Sequence, residues 1–206
     1  MAQYFRIHPT HPQPRLVHRA CEIIRGGGVV AYPTDSSYAL GCAIGDKQAM
    51  ERIRRIRELD QDHNFTLVCR DLSAIAQYAR IDNTTFRLIK SCTPGRYTFI
   101  LAATREVPRR LQHPRRRTIG IRVPDSPLVS ALLAELGEPL MSSTLILPGN
   151  TSPENDPETI RAALEHDLEL VIDAGAVDNL PTTVVDLSEG VPTVLREGGG
   201  PVAVFS

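Results

Sequence analysis

A chain of 206 residues, 42% apolar and 23% charged, has the composition of a globular protein able to bury one sizeable core, and it predicts a single domain over 1–206. A formal net charge of −1 excludes a globally basic nucleic-acid binder, so any such contact must be local. No stretch approaches membrane-spanning length, and MAQYFRIHPTHPQPR lacks the apolar run of a signal peptide. Cys21, Cys42, Cys69 and Cys92 form no CxxC pair and no zinc spacing with histidine, which points to reduced core thiols in a cytoplasmic protein with no membrane partner.

In chain order, Phe5 to Ile7 predicts a short edge strand, followed by the connector HPTHPQPR. Leu16, Val17, Ala20, Ile23 and Ile24 recur at helical spacing and predict a helix over 16–24, ended by Gly26-Gly27-Gly28. Val29 to Tyr32 reads as a buried strand that Pro33 closes, because proline cannot donate to a central ladder. Thr34, Asp35, Ser36 and Ser37 then crowd short polar side chains at its end. They suit an ordinary turn and equally a ligand site at a strand end of an open α/β sheet. Tyr38 to Gly41 returns to apolar packing. Asp46 can cap a helix through Glu58 with Met50, Ile53 and Ile56 as its buried stripe. Phe65 to Cys69 predicts a strand, 71–78 and 84–91 short helices, Pro94-Gly95 a turn, and Tyr97 to Ala102 a strand containing Thr98.

Val107 to Arg117 is a basic, proline-punctuated loop, and Thr118 to Val123 alternates as a strand ending at Pro124. Ser126 caps a helix from Pro127 to Leu136 that Gly137 terminates. Strands over 140–147, 170–173, 183–187 and 194–196, a helix from Asp156-Pro157 to about His166, and an edge strand over 202–205 complete the reading. Alternation of strands and helices predicts an α/β fold, a single-domain twisted mixed β-sheet with flanking helices.

Several positions could carry chemistry. Arg122 in TIGIRVPD and Arg196 in TVLREGGG are single arginines in apolar strands. Each is either a ligand contact or half of a structural ion pair, with Asp125 and Glu197 as the nearby carboxylates. Arg55 and Arg57, two residues apart at a helix end, could converge on an anion or form a solvated basic terminus. Ser142-Ser143-Thr144 and Thr182-Thr183 place hydroxyls at strand ends, where they could line one crevice or be ordinary strand residues. Arg109, Arg110, Arg115, Arg116 and Arg117, with His113, form the strong local basic concentration. It could touch RNA phosphates, although it lacks interleaved aromatics. No phosphate-loop, dinucleotide, nucleophile-elbow or zincin motif is present.

Taken together, GGGVVAYPTDSSYALGC, RIRRIREL, FTLVC, TPGRYTFIL, TIGIRVPD, PLMSSTLILPG, LVIDAG, PTTVVDL and TVLREGG resemble, in order and spacing, the YrdC-like family of threonylcarbamoyl-adenylate synthases, nearest its YciO branch, over about 15–204. The resemblance implies a YrdC/RibB-like mixed sheet with a concave, positive face. ATP with magnesium would lie there beside L-threonine, whose amine and bicarbonate give a carbamate. The carbamate attacks the α-phosphate and pyrophosphate leaves, a reaction that needs positioning and charge neutralisation more than a protein nucleophile. Carried over by position, Ser36, Arg122 and Thr182 would contact threonine, and Arg55, Arg57, Thr98, Thr144 and Arg196 the nucleotide. The resemblance also implies a possible double-stranded RNA or tRNA partner, with the synthase weakened or replaced by RNA binding or another small substrate.

Three departures stand on the ligand side. Arg55 replaces the lysine of the family's KxR element, Thr144-Leu145-Ile146 stands for its SxN element, and Cys69 takes a position where many relatives carry histidine. Losing the asparagine's hydrogen bond to a charged group would cost about 1.5–3 kcal/mol, roughly ten- to over a hundred-fold in rate.

Overall fold

The computed structural model describes residues 1–60, 63 and 65–205. Its strands are β1 (Gln3–Arg6), β2 (Val30–Pro33), β3 (Tyr38–Ala43), β4 (Thr66–Val68), β5 (Ala79–Arg80), β6 (Tyr97–Ala103), β7 (Thr118–Arg122), β8 (Leu140–Thr144), β9 (Leu170–Asp173), β10 (Thr183–Asp186) and β11 (Thr193–Arg196). The helices are α1 (Pro14–Arg25), α2 (Lys47–Arg57), α3 (Leu72–Tyr78), α4 (Asn83–Cys92), α5 (Pro127–Leu136) and α6 (Pro157–Leu164). All strands join one mixed sheet in the order β1-β9-β2-β3-β8-β4-β7-β6-β10-β11, with β5 pairing β6 beside that path.

The two faces are covered unequally. Alternation along a strand sends neighbouring side chains to opposite faces. On one face Leu40, Leu67, Phe99, Leu101, Ile121 and Met141 pack against Met50, Ile53 and Ile56 of α2, Ile75 of α3, Ile89 of α4 and Ile160 of α6. On the other, Val30, Tyr32, Ala39, Leu140 and Leu170 pack beneath Val17, Ala20 and Ile24 of α1 and Leu128, Leu132 and Leu133 of α5. These two helices cover the β9–β2–β3–β8 part of that face. Over β4, β7, β6 and β10 the same face carries Thr66, Gly120, Arg122 and Thr98 in place of large apolar groups, and a cleft opens there.

Side-chain caps form where the sequence places them. Asp46 accepts from the Ala49 N–H at 2.9 Å and Ser126 from the Val129 N–H at 3.3 Å. Tyr38–Ala43 and the C-terminal tail take a form the periodicity did not define. Tyr38–Ala43 is a full strand, admitted by Gly41: a Cβ there would lie 2.7 Å from Tyr32 Cε1. Pro33 is the last residue of β2, at the strand's exit as expected, and pairs with Tyr38. It is tolerated because β9 pairs only Val30 and Ala31, leaving no partner for the missing N–H. The expected C-terminal strand over 202–205 is instead a 3-10 turn, Ala203–Phe205. Tyr97 holds this tail: its hydroxyl donates to the Pro201 carbonyl at 2.9 Å and its ring meets Phe205 edge-on at 5.8 Å.

Candidate functional site

The Thr34–Ser37 run is the hairpin turn between β2 and β3. Thr34 Oγ1 accepts the N–H groups of Ser36 and Ser37, both at 3.2 Å, and donates to the Ser37 carbonyl at 2.7 Å. A threonine hydroxyl satisfying local backbone groups stabilises such a tight turn. The turn also leaves Asp35 and Ser36 facing the end of β7.

There they meet Arg122. One guanidinium nitrogen, Nη2, donates to the Asp35 carboxylate, to Ser36 Oγ at 2.9 Å and to Thr34 Oγ1 at 3.3 Å. The second Asp35 oxygen accepts the Asp125 N–H at 2.9 Å. The counter-charge of Arg122 is therefore Asp35, across the sheet, and Asp125 contributes its backbone. The Arg122 and Asp35 side chains are only 9% and 8% exposed. Arg122 Nε is the sole buried side-chain polar atom without a partner among the described residues. A buried donor left unpaired is costly and marks a place for an acceptor.

Arg122 lines a cleft with Thr66, Thr98, Ser142, Ser143, Thr144 and Thr182. The floor is Gly120: a Cβ on it would sit 3.2 Å from Thr66 Oγ1 and 3.5 Å from Thr98 Cγ2. Glycine inside a strand thus keeps open the space between two hydroxyl-bearing strands. The enclosed part measures about 40 Å³, enough for about one water, so a larger ligand would lie across the mouth.

Hydroxyls relay from the floor to the rim. Thr98 Oγ1 and Thr182 Oγ1 are 2.9 Å apart, and Arg196 donates to the Thr182 carbonyl at 2.9 and 3.1 Å and to its hydroxyl at 3.2 Å. Arg196 thus bonds Thr182, and Glu197 is not its partner. On the opposite wall Arg57 donates to Ser143 Oγ at 2.8 Å and to the Ile146 carbonyl at 3.3 Å. Ser143 has the parity of the α2-covered face, so Arg57 reaches β8 from that side and stands at the edge of the cleft. Burial pushes both Arg57 and Arg196 below the ordinary arginine value.

The structure therefore brings Ser36, Arg57, Thr98, Arg122, Thr144, Thr182 and Arg196 around one cleft. Arg55 is exposed on α2 and its side chain makes no hydrogen bond or ion pair among the described residues, whereas neighbouring Arg54 is buried over the Phe65 ring. Cys69 is fully buried, its thiol pushed up to about 12 by burial, and its N–H donates to the Arg122 carbonyl at 2.8 Å. In the basic loop, Arg109 and Arg110 form a 3-10 turn, Arg116 pairs with Asp186, and Arg109, Arg110, Arg115 and Arg117 are exposed. Sequence reasoning missed Asp35 as partner of Arg122, Thr66 as lining and Gly120 as floor. For the last a signal existed, a lone glycine in an alternating strand.

The fold is thus a mixed α/β sheet with one face half bare and an arginine with a spare donor buried at its polar cleft. Residues 22–198 match the Sua5/YciO/YrdC family, described as "Telomere recombination", and the chain belongs to that family. It is 56% identical over 205 residues to uncharacterized protein YciO of Escherichia coli K12, covering 100% of both chains. The crystal structure of E. coli YciO matches with a TM-score of 0.96 over 100% of both chains. A threonylcarbamoyl-AMP synthase of Chromobacterium violaceum is 30% identical over 183 residues, 88% of this chain and 94% of that one. The fold is also that of P. abyssi Sua5 complexed with L-threonine, at 24% identity and a TM-score of 0.89, covering 98% of this chain and 59% of that one.

Proposed function

We propose that the chain is an adenylating enzyme of the threonylcarbamoyl-AMP synthase type, taking L-threonine, bicarbonate and ATP. The observation that carries this reading is the unpartnered Nε of Arg122 beside the cleft. Asp35, Ser36 and Thr34 occupy one guanidinium nitrogen, and a substrate carboxylate would take the donor left over. The naming of a 30% identical relative as a threonylcarbamoyl-AMP synthase and the L-threonine complex of P. abyssi Sua5 support the same ligand.

In this reading Ser36 and Arg122 orient threonine so that its carbamate carboxylate faces the α-phosphorus. Thr98, Thr144 and Thr182 supply hydroxyl contacts to the ligands, and Arg57 and Arg196 neutralise phosphate charge as pyrophosphate departs. Magnesium arrives with the nucleotide, held by phosphate oxygens as its preference for oxygen ligands dictates. Arg57 is anchored by the backbone carbonyl of residue 146, which any side chain there would leave in place. The loss at Ile146 is therefore of a nucleotide contact, and the activity is lowered.

The test is pyrophosphate release with ATP, magnesium, bicarbonate and threonine. Threonine-dependent release should exceed that of an Arg122→Ala protein and should rise in Ile146→Asn. Release no greater than that of Arg122→Ala would overturn the assignment.

A further inference from the structure

At the other end of β6 and β7 lies a second, larger cleft of about 690 Å³, walled by Arg80, Arg105, Arg109, Gln112, His113 and Arg117. Its wall at Ala103 lies five residue steps along β6 from Thr98 of the first cleft, roughly 16 Å along an extended strand. Among the described residues no carboxylate lines it. Among the described residues none of its four arginines forms an ion pair, although Arg116 beside them pairs with Asp186. Concentrated guanidinium groups facing one concavity repel each other until an anion enters.

The walls are built rather than loose. Ala103 N–H donates to the Arg117 carbonyl at 2.9 Å, His113 N–H to the Thr118 carbonyl at 2.8 Å, and Gln112 Nε2 to the Val107 carbonyl at 2.8 Å. His113 Nδ1 accepts the N–H groups of Arg115 and Arg116 at 3.3 and 3.1 Å. A neutral ring so engaged carries its proton on Nε2, which makes His113 a further donor. Arg117 holds φ at 54°, a left-handed conformation that favours glycine, yet a guanidinium is kept there.

We propose that this cleft binds a short polyphosphate chain, free or carried by a nucleotide. Its polar lining is the four guanidinium groups, Thr104, Gln112 and His113, set among small apolar side chains, and among the described residues no Phe, Tyr or Trp lines it, so it suits phosphate oxygens. Its volume falls within the roughly 300–1,000 Å³ of small-ligand sites. This goes beyond the synthase reading and uses none of its residues.

The test is calorimetric titration of the full chain with inorganic tripolyphosphate, with GTP as the nucleotide-borne arm. Arg80→Gln and Arg105→Gln, both exposed and with side chains that make no hydrogen bond or ion pair among the described residues, should each weaken one binding event about tenfold or more. Threonine-dependent pyrophosphate release should be unchanged in both variants. Arg57→Gln should leave the event intact, and so should Arg87→Gln, an exposed arginine outside the cleft. GTP binding as tightly as tripolyphosphate assigns the chain alone, and tighter GTP assigns the nucleotide form. Equal weakening by Arg87→Gln, no binding that responds to Arg80 or Arg105, or a short RNA duplex that tripolyphosphate does not displace would overturn the proposal.

Discussion

Removing the Asp35 carboxylate tests the centre of the site directly. In Asp35→Ala, Arg122 keeps its buried position but loses its counter-charge, and the Asp125 N–H loses an acceptor. With both side chains under a tenth exposed, the relevant regime is that of a buried pair. Deleting one member of such a pair costs about 3–5 kcal/mol, whereas an exposed pair contributes about 0–1 kcal/mol. For a domain of this length each kcal/mol lowers Tm by about 2–4 °C, so the melting temperature should fall by roughly 6–20 °C. Arg19→Ala, which breaks an exposed pair with Glu22, should shift it by only about 0–4 °C on the same scale. The double change Asp35→Ala/Arg122→Met should recover part of the loss, since it removes both charges and restores apolar volume. Thermal melts at fixed pH and salt decide the matter. A Tm for Asp35→Ala within about 2 °C of the unaltered protein would refute the claim that this pair is a buried, mutually dependent unit.

Gly120→Ala should fold with little loss of stability, because the new Cβ's tightest contact is the Thr66 hydroxyl at 3.2 Å, with Thr98 Cγ2 at 3.5 Å and Thr66 Cα at 3.8 Å at ordinary contact distance. It should nevertheless reduce threonine-dependent pyrophosphate release by occupying the cleft floor, and a steady-state assay beside a melt separates the two effects. The four cysteines are buried, and burial pushes the thiols of Cys21 to about 11 and of Cys42 and Cys69 to about 12. A thiol-specific disulfide reagent at pH 8 should therefore react slowly with native protein and rapidly with all four once it is unfolded. Burial, followed by Arg57 and Arg54, lowers the pKa of His63 from 6.5. Between that lowered value and the unfolded value, the unfolded ring binds a proton that the folded ring refuses. Stability should fall as pH drops through this window, and His63→Gln should flatten the slope in melts between pH 7.5 and 5.5.

Much of the fold was legible because its strands and helices carry unmixed periodicities and clear caps: Asp46, Ser126 and Asp156 each accept the expected N–H. The strand Tyr38–Ala43 was not, because it is buried on both sides and contains a glycine, so alternation is absent. Its glycine is explained only by the ring of Tyr32 lying across it. At the site, Arg122 and Arg196 stood out as charges in apolar strands, and the structure places both beside the cleft. Their partners were not legible. Proximity in sequence suggested Asp125 and Glu197, while pairing of β2 with β3 carried Asp35 to Arg122 from 87 positions away. The tail failed for a similar reason: an apolar run that looks like a strand is claimed by one aromatic residue, Tyr97, before any ladder can form.

The location of Arg196 has a consequence for motion. It ends β11, the outermost strand, which is exposed throughout and bonded on one side only, to β10. Edge strands of this kind open locally long before the whole protein unfolds. An anion bridging Arg196 to the central strands would tie the least stable border of the sheet to its most stable part. Amide exchange along Thr193–Arg196 would then slow when the cleft is filled, so the fraying of one border strand would report occupancy of a site whose floor lies three strands away, on β7.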